Sequence, residues 1–219
     1  MVRRKEHSVY GCECRLMNAN TTKKSQEKRQ RILECSLLLF VEKGYLNTTV
    51  REIIDNSGFG TSTFYRHFSN KEDVLKTLLS DFLKLIIIRV NDYYVRERNL
   101  YQRFIETKHI IIDVFAQNKQ LSEIYSRVAG NSDSIDQCLK DFDDKFLAFT
   151  TKNIEFGIKK GLFRNLKASP IAHATLGIVK YAVYKWVVLK EITVEEMVDM
   201  VMSFHESLAI GLVENKDIQ

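Results

Sequence analysis

The stretch TVREIIDNSGFGTSTFYRHFSNKE, residues 49–72, decides the fold of this chain. Thr49 and Glu52 stand at capping-box spacing: a threonine oxygen takes an orphan backbone N–H and a glutamate three residues on reaches back to the cap, so a helix starts there. Val50, Ile53 and Ile54 give that helix an apolar face, and Ser57-Gly58 ends it after about two turns. A second short helix follows from Thr61 to Phe68. Ser69 and Glu72 read as another capping box, opening a third helix through Val74, Leu75, Leu78, Leu79 and Phe82. Two short helices joined by a glycine-containing turn of about four residues form a helix-turn-helix. On the second of them Thr61, Ser62, Thr63, Tyr65, Arg66 and His67 all carry hydrogen-bonding groups, and only Phe64 and Phe68, four apart, read as core. A buried connector has no use for six polar side chains; in a major groove they can meet base edges and phosphates.

Upstream, Ile32, Cys35, Leu38 and Leu39 carry helical spacing from Thr22 to Lys43-Gly44, with Lys23, Lys24, Lys28, Arg29 and Arg31 at its front. Residues 1–21 are polar and patternless and read as a disordered arm, with Met17 an alternative start to Met1. Charge follows the same division. Residues 1–80 hold 14 Lys and Arg against 9 Asp and Glu, whereas the remainder is balanced, so the first third carries the whole net charge of +5. A basic module that meets a polyanion, joined to a neutral module with another task, is the reading. One proline and nine glycines in 219 residues are too few turn formers for a sandwich, a barrel or a βαβ enzyme, so the chain is expected to be all-α. Cys12, Cys14, Cys35 and Cys138 form no CxxC pair. No secretory leader and no membrane-length apolar run is legible, and the expected location is the cytoplasm.

Residues 26–80 resemble the DNA-binding domain of the TetR family of bacterial transcriptional regulators. The residues that carry this are Ile32-Leu33, Phe40, Gly44-Tyr45, Thr48 to Ile53, Ser57 to Phe68, Lys71-Glu72 and Leu75. The resemblance implies a three-helix DNA-binding domain over 22–69 and a ligand-sensing and dimerisation bundle over 70–219, about nine helices in all. It also implies DNA contacts from Thr49, Arg51, Thr61, Ser62, Thr63, Tyr65, Arg66, His67 and Lys71, the last as a phosphate-binding lysine. Two positions depart from the family pattern: Gly60 stands where a serine-like cap is common and Ser62 where glycine is, so the recognition helix is expected to be poorly capped and Ser62 to add a contact.

Beyond residue 70, helices are expected at 70–95, 99–117, 119–129, 132–160, 169–190 and 194–213, with Ser169-Pro170 as cap and first helical residue and Thr193 with Glu196 as a capping box. The last two helices are apolar on more than one face, which calls for a second partner or for deep burial within one chain. The resemblance favours a homodimer on a palindromic operator, through Ile171, Thr175, Ile178, Val179, Ala182, Val198, Val201, Met202 and Leu208. It implies too a small-molecule effector among the middle helices, where Phe82, Ile86, Phe104, His109, Ile112, Phe115, Tyr125, Phe142, Phe146 and Trp186 can line a pocket or simply be core.

Other chemistries fit less well. Gly58 to Thr63 lacks the lysine of a phosphate-cradling loop and follows a helix. His7, Cys12 and Cys14 lack structural-zinc spacing. Asp141, Asp143 and Asp144 would serve a helical metal-dependent enzyme, yet Lys140 and Lys145 flank them and a second acidic motif is missing. Neither that enzyme nor a helical adaptor accounts for the basic module. The expectation is a DNA-binding regulator, a repressor released by ligand, with no cofactor and no bound metal.

Overall fold

The computed structural model describes residues 19–96 and 99–212, which are helices and their connections with no strand among them. Residues 1–18, most of the expected arm, lie outside the described residues. Helix α1 (Ala19–Lys43) begins three residues before the expected start, and α2 (Val50–Ser57) and α3 (Thr61–His67) follow as read from the sequence. Then come α4 (Lys71–Arg96), α5 (Leu100–Gln117), α6 (Lys119–Arg127), α7 (Asp133–Lys159), α8 (Ala168–Tyr184) and α9 (Val194–Leu212); a π-helical turn, Lys185–Leu189, continues α8.

Ile32, Leu33, Leu37 and Phe40 of α1, Ile53 of α2, Phe64 of α3, Phe68 just after it, and Val74, Leu75 and Leu78 of α4 are buried together and hold the first three helices to the start of the fourth. Leu38 departs from the sequence reading. It is 47% exposed, and Leu37 and Phe40 take the inward positions instead. Helices α4, α5, α9, α8 and α7 then neighbour one another in that order and close back on α4 as a ring, and α6 packs between α1 and the π-helical turn.

Two caps differ from expectation. At α4, Asn70 accepts the Asp73 N–H at 2.8 Å and the Asp73 carboxylate accepts the Ser69 N–H at 3.0 Å, so the capping pair is Asn70 with Asp73. Glu72 is thereby free for another partner. At α8 the N-cap is Lys167, without a side-chain cap, which places Pro170 within the first turn, where its missing N–H costs no intrahelical bond. Thr193 and Glu196 do form the expected box, with bonds of 3.2 and 2.7 Å.

Candidate nucleic-acid interface

The entry to the helix pair is built around Glu52. Its carboxylate accepts the Thr49 N–H at 2.8 Å and the Thr49 hydroxyl at 2.9 Å, and the Lys43 ammonium donates to it at 2.6 Å. The Thr49 oxygen in turn accepts the Glu52 N–H at 3.2 Å. Lys43 first, and then the Thr49 groups, hold the Glu52 carboxyl down at about 2. Thr49 therefore serves first as a cap. Beyond it Arg51 projects with its side chain 91% exposed, 3.9 Å from Asp55.

Gly58 ends α2 at φ +75°, a left-handed conformation that a side chain would strain. The chain reverses and α3 starts at Gly60, which as expected supplies no side-chain cap. Phe64 and Phe68 are buried and anchor one side of α3. Thr61, Ser62, Tyr65 and Arg66 are exposed on the other, with Thr63 and His67 at the half-buried margin. The structure thus brings six of the nine expected contact residues onto α3, with Thr49 and Arg51 at the start of α2.

Cations border this surface. The Arg29 guanidinium lies 5.3 Å over the Phe68 ring and the Lys28 ammonium 5.9 Å over Phe59, so both charges are held against aromatic faces. Burial, then the positive field of Arg66, Arg29 and Lys28, lowers the pKa of His67, leaving a neutral ring in basic surroundings.

Lys71 has a different setting from the one expected. Its ammonium donates to the carbonyls of Tyr45 at 2.8 Å, Leu46 at 3.0 Å and Thr48 at 2.8 Å, and lies 4.6 Å over the Tyr45 ring. All three of its donors are engaged in closing the α1–α2 loop, which leaves no N–H for a phosphate in this arrangement. Thr48, fully buried, secures the same loop by donating toward the Gly44 and Leu39 carbonyls at 2.9 and 3.2 Å. The loop-closing function of Tyr45, Thr48 and Lys71 was not legible in the sequence, because the lysine lies more than twenty residues from the carbonyls it meets and no local pattern records that contact.

In the bundle several expected pocket residues form a packed aromatic cluster. Ring centroids lie 5.0 Å apart for Phe82–Phe115, 4.8 Å for Tyr125–Phe142 and 6.1 Å for Phe115–Tyr125. Ile86, Ile112, Phe146 and Trp186 are buried in the same core. His109 is half-buried, and the side chain of Phe104 lies outside the described residues. Of the set, Phe142 borders a cleft of about 290 Å³ between α4 and α7, beside Lys76, Ser80, Ser134 and Cys138. At its rim the Ser134 hydroxyl donates to Glu72, and Lys76 meets Ser134 at 2.7 Å and Glu72 at 3.0 Å. The freed Glu72 thus ties the helix that leaves the DNA-binding domain to α7.

The expected dimer residues divide. Thr175, Val179, Ala182, Val201 and Met202 are buried within the chain itself and unavailable to a partner; Ile171, Ile178, Val198 and Leu208 are half-buried. An apolar surplus in sequence registers burial without saying by what. The open face of α8 carries Ala174, Gly177, Tyr181 and Tyr184 instead. The acidic run is also dispersed. Asp141 accepts from Gln137, Asp144 from Lys140, and Asp143 from both Tyr125 and Lys180. Among the described residues no helix is long and apolar enough to cross a membrane.

Residues 32–78 match the pattern of the bacterial regulatory proteins of the tetR family. The chain is 60% identical to a TetR-family transcriptional regulator from Syntrophomonas wolfei, whose crystal structure superposes with a TM-score of 0.82 over 87% of this chain and 99% of that one. The transcriptional repressor KstR2 of Mycobacterium tuberculosis is 34% identical over 76 residues, 35% of this chain and 38% of the repressor, so the match spans well under half of that relative. FadR from Bacillus subtilis, solved with stearoyl-CoA, shares the fold with a TM-score of 0.71 at 17% identity, over 80% of this chain and 96% of that one. The helix-turn-helix with its polar recognition face, its basic border and the helical bundle behind it, together with this likeness over nearly the whole chain, place the protein in the TetR family of bacterial transcriptional regulators.

Proposed function

We propose that the protein is a cytoplasmic repressor that binds a palindromic DNA operator as a homodimer and is released by a small molecule entering the bundle. The observation that carries the reading is the face of α3: four exposed hydrogen-bonding side chains, Arg66 among them, on a helix fixed from beneath by Phe64 and Phe68 and bordered by Lys28 and Arg29. Thr61, Ser62 and Thr63 read base edges, Tyr65, Arg66 and His67 contact bases or backbone, and Arg51 and Thr49 approach from α2. Lys71 acts from behind, by holding the loop that sets the pitch of the pair.

Two-fold symmetry would bring two recognition helices to successive major grooves, about 34–36 Å apart. The open α8 face, with Ala174 and Gly177 permitting close approach and Tyr181 and Tyr184 supplying area, suits the partner helix better than the residues expected from sequence. Ligand must prefer the state whose helix spacing does not fit DNA. Glu72, Lys76 and Ser134 are placed to pass that preference from α7 to α4.

Selection from random duplex DNA, followed by binding measurements, tests the reading. The full chain should recover an inverted repeat. Arg66→Ala should weaken binding by about 1–3 kcal/mol if it reads a base, relaxing preference at one position of each half-site. Recovery of no common sequence, or unchanged affinity in both Arg66→Ala and Tyr65→Ala, would overturn it.

A further inference from the structure

The interior of the bundle contains a polar layer that neither the DNA-facing surface nor the α4–α7 cleft uses. Lys108 on α5, Thr150 on α7 and His205 on α9 are 4%, 1% and 0% exposed. Thr150 Oγ1, Asn153 Nδ2 and His205 Nε2 are buried and have no hydrogen-bond partner among the described residues. Native interiors satisfy nearly all such groups, so three orphans in one bundle call for something to bind them.

Helix register places Lys108, Thr150 and His205 at one level, with Asn153 about one turn farther from the DNA-binding domain on α7. Ile105 of α5, Ile154 of α7, Ala172 of α8 and Leu208 of α9 belong to one small apolar cluster with Phe163. One turn closer to the DNA-binding domain, three or four residues along each helix, come Lys108, Thr150 and His205. Lys108 and His205 sit on the adjacent helices α5 and α9, and Thr150 and Asn153 on α7, another member of the closed ring of five helices. Toward the DNA-binding domain along α7 lie Phe146 and Phe142, so the layer is bounded by apolar surface at both levels.

The chemistry of the orphans selects their ligand. His205 Nδ1 lies 2.7 Å from the Val201 carbonyl, which can only accept, so Nδ1 carries the ring proton and Nε2 presents a lone pair. Burial first, and then Lys108, hold this imidazole down at about 4, so it is neutral at ordinary pH. Nε2 requires a donor, the Asn153 amide requires an acceptor, and the Thr150 hydroxyl takes either role. A carboxylate brings only lone pairs to Nε2, and an ammonium group brings a second cation close to Lys108.

We infer that this layer is the polar end of a binding site for an uncharged, hydroxyl-bearing apolar molecule, whose O–H donates to His205 Nε2 while its oxygen accepts from Asn153 or Thr150. The inference rests on the reading of the chain as a ligand-responsive regulator, and names the chemical class of its effector.

The test is calorimetric titration of the full chain with 1-octanol and with octyl methyl ether, which keeps the oxygen and loses the donor. The alcohol should bind at least about tenfold more tightly. His205→Met should abolish that preference. Thr150→Val, which replaces an unsatisfied hydroxyl by a methyl group of similar shape and should fold, should keep the preference, because the oxygen it would meet is common to alcohol and ether. Equal binding of alcohol and ether, binding of neither because water alone fills the layer, or an undiminished preference in His205→Met overturns the inference. Duplex binding by the same preparations separates the two readings: a chain that binds DNA but does not distinguish alcohol from ether defeats only the ligand class, and one that binds no DNA defeats the regulator.

Discussion

Glu52 shows how a single carboxylate can make the DNA-binding domain sensitive to acid. Its pKa falls from 4.5 to about 2 in the folded chain, so its contribution to stability is fully present above the unfolded value and is lost as pH falls through the folded one. Thermal melts between pH 5 and pH 2 should therefore show Glu52→Gln less stable than wild type at pH 5 and the two converging toward pH 2; parallel curves would remove the carboxylate from this role. Lys71 gives a second expectation. Lys71→Met keeps an apolar stem over Tyr45 but strips three carbonyls of their donor, and should cost about 1–3 kcal/mol in denaturant unfolding. The salt dependence of operator binding should stay unchanged, whereas a lost phosphate contact would lower its slope by about one unit. The Thr49 box was legible because both partners lie within four residues. The α4 cap was misplaced by one because Ser69 and Asn70 can both cap and Glu72 and Asp73 can both reach back, and only packing against Ser134 separates the two registers.

Among the helices, the order and approximate limits from α2 to α9 follow from periodicity and from the few glycines, since little else in this composition interrupts a helix. The inward face of a helix that is apolar all round does not. On α8 the sequence offers Thr175, Val179 and Ala182 as readily as Ala174, Gly177 and Tyr181, and only the neighbours α7 and α9 decide between them. Similarly, aromatic spacing on α4, α5, α6 and α7 cannot tell a pocket wall from a packed core. One glycine inverts the ordinary helix rule. Ala exceeds Gly by about 1 kcal/mol in helix interiors, yet a Cβ on Gly157 of α7 would lie 2.4 Å from the Phe163 ring. Gly157→Ala should therefore destabilise the chain by about 1–3 kcal/mol in urea unfolding, and a stabilised variant would mean that Phe163 can move aside without cost.

At the scale of the whole molecule, the open α8 face predicts the assembly. Gly177→Arg combined with Tyr181→Arg should leave a folded monomer by sedimentation equilibrium, with operator affinity reduced at least about tenfold, because paired half-sites no longer share one binding event. A variant that remained dimeric would send the search for the interface elsewhere.

Helix α4 belongs to both halves of the protein: Val74, Leu75 and Leu78 complete the core beneath the recognition helix, and Phe82 packs on Phe115 and Phe142 of the bundle. In the proposed function it would work as a drive shaft between reading head and sensor, its angular setting counted in residues. One residue inserted between these segments would advance the reading head by about 1.5 Å and turn it by about 100° relative to the sensor, while four residues, close to one full turn, would nearly restore its heading. A sensor exchanged between relatives through this helix would transmit its signal only if the splice preserved that phase.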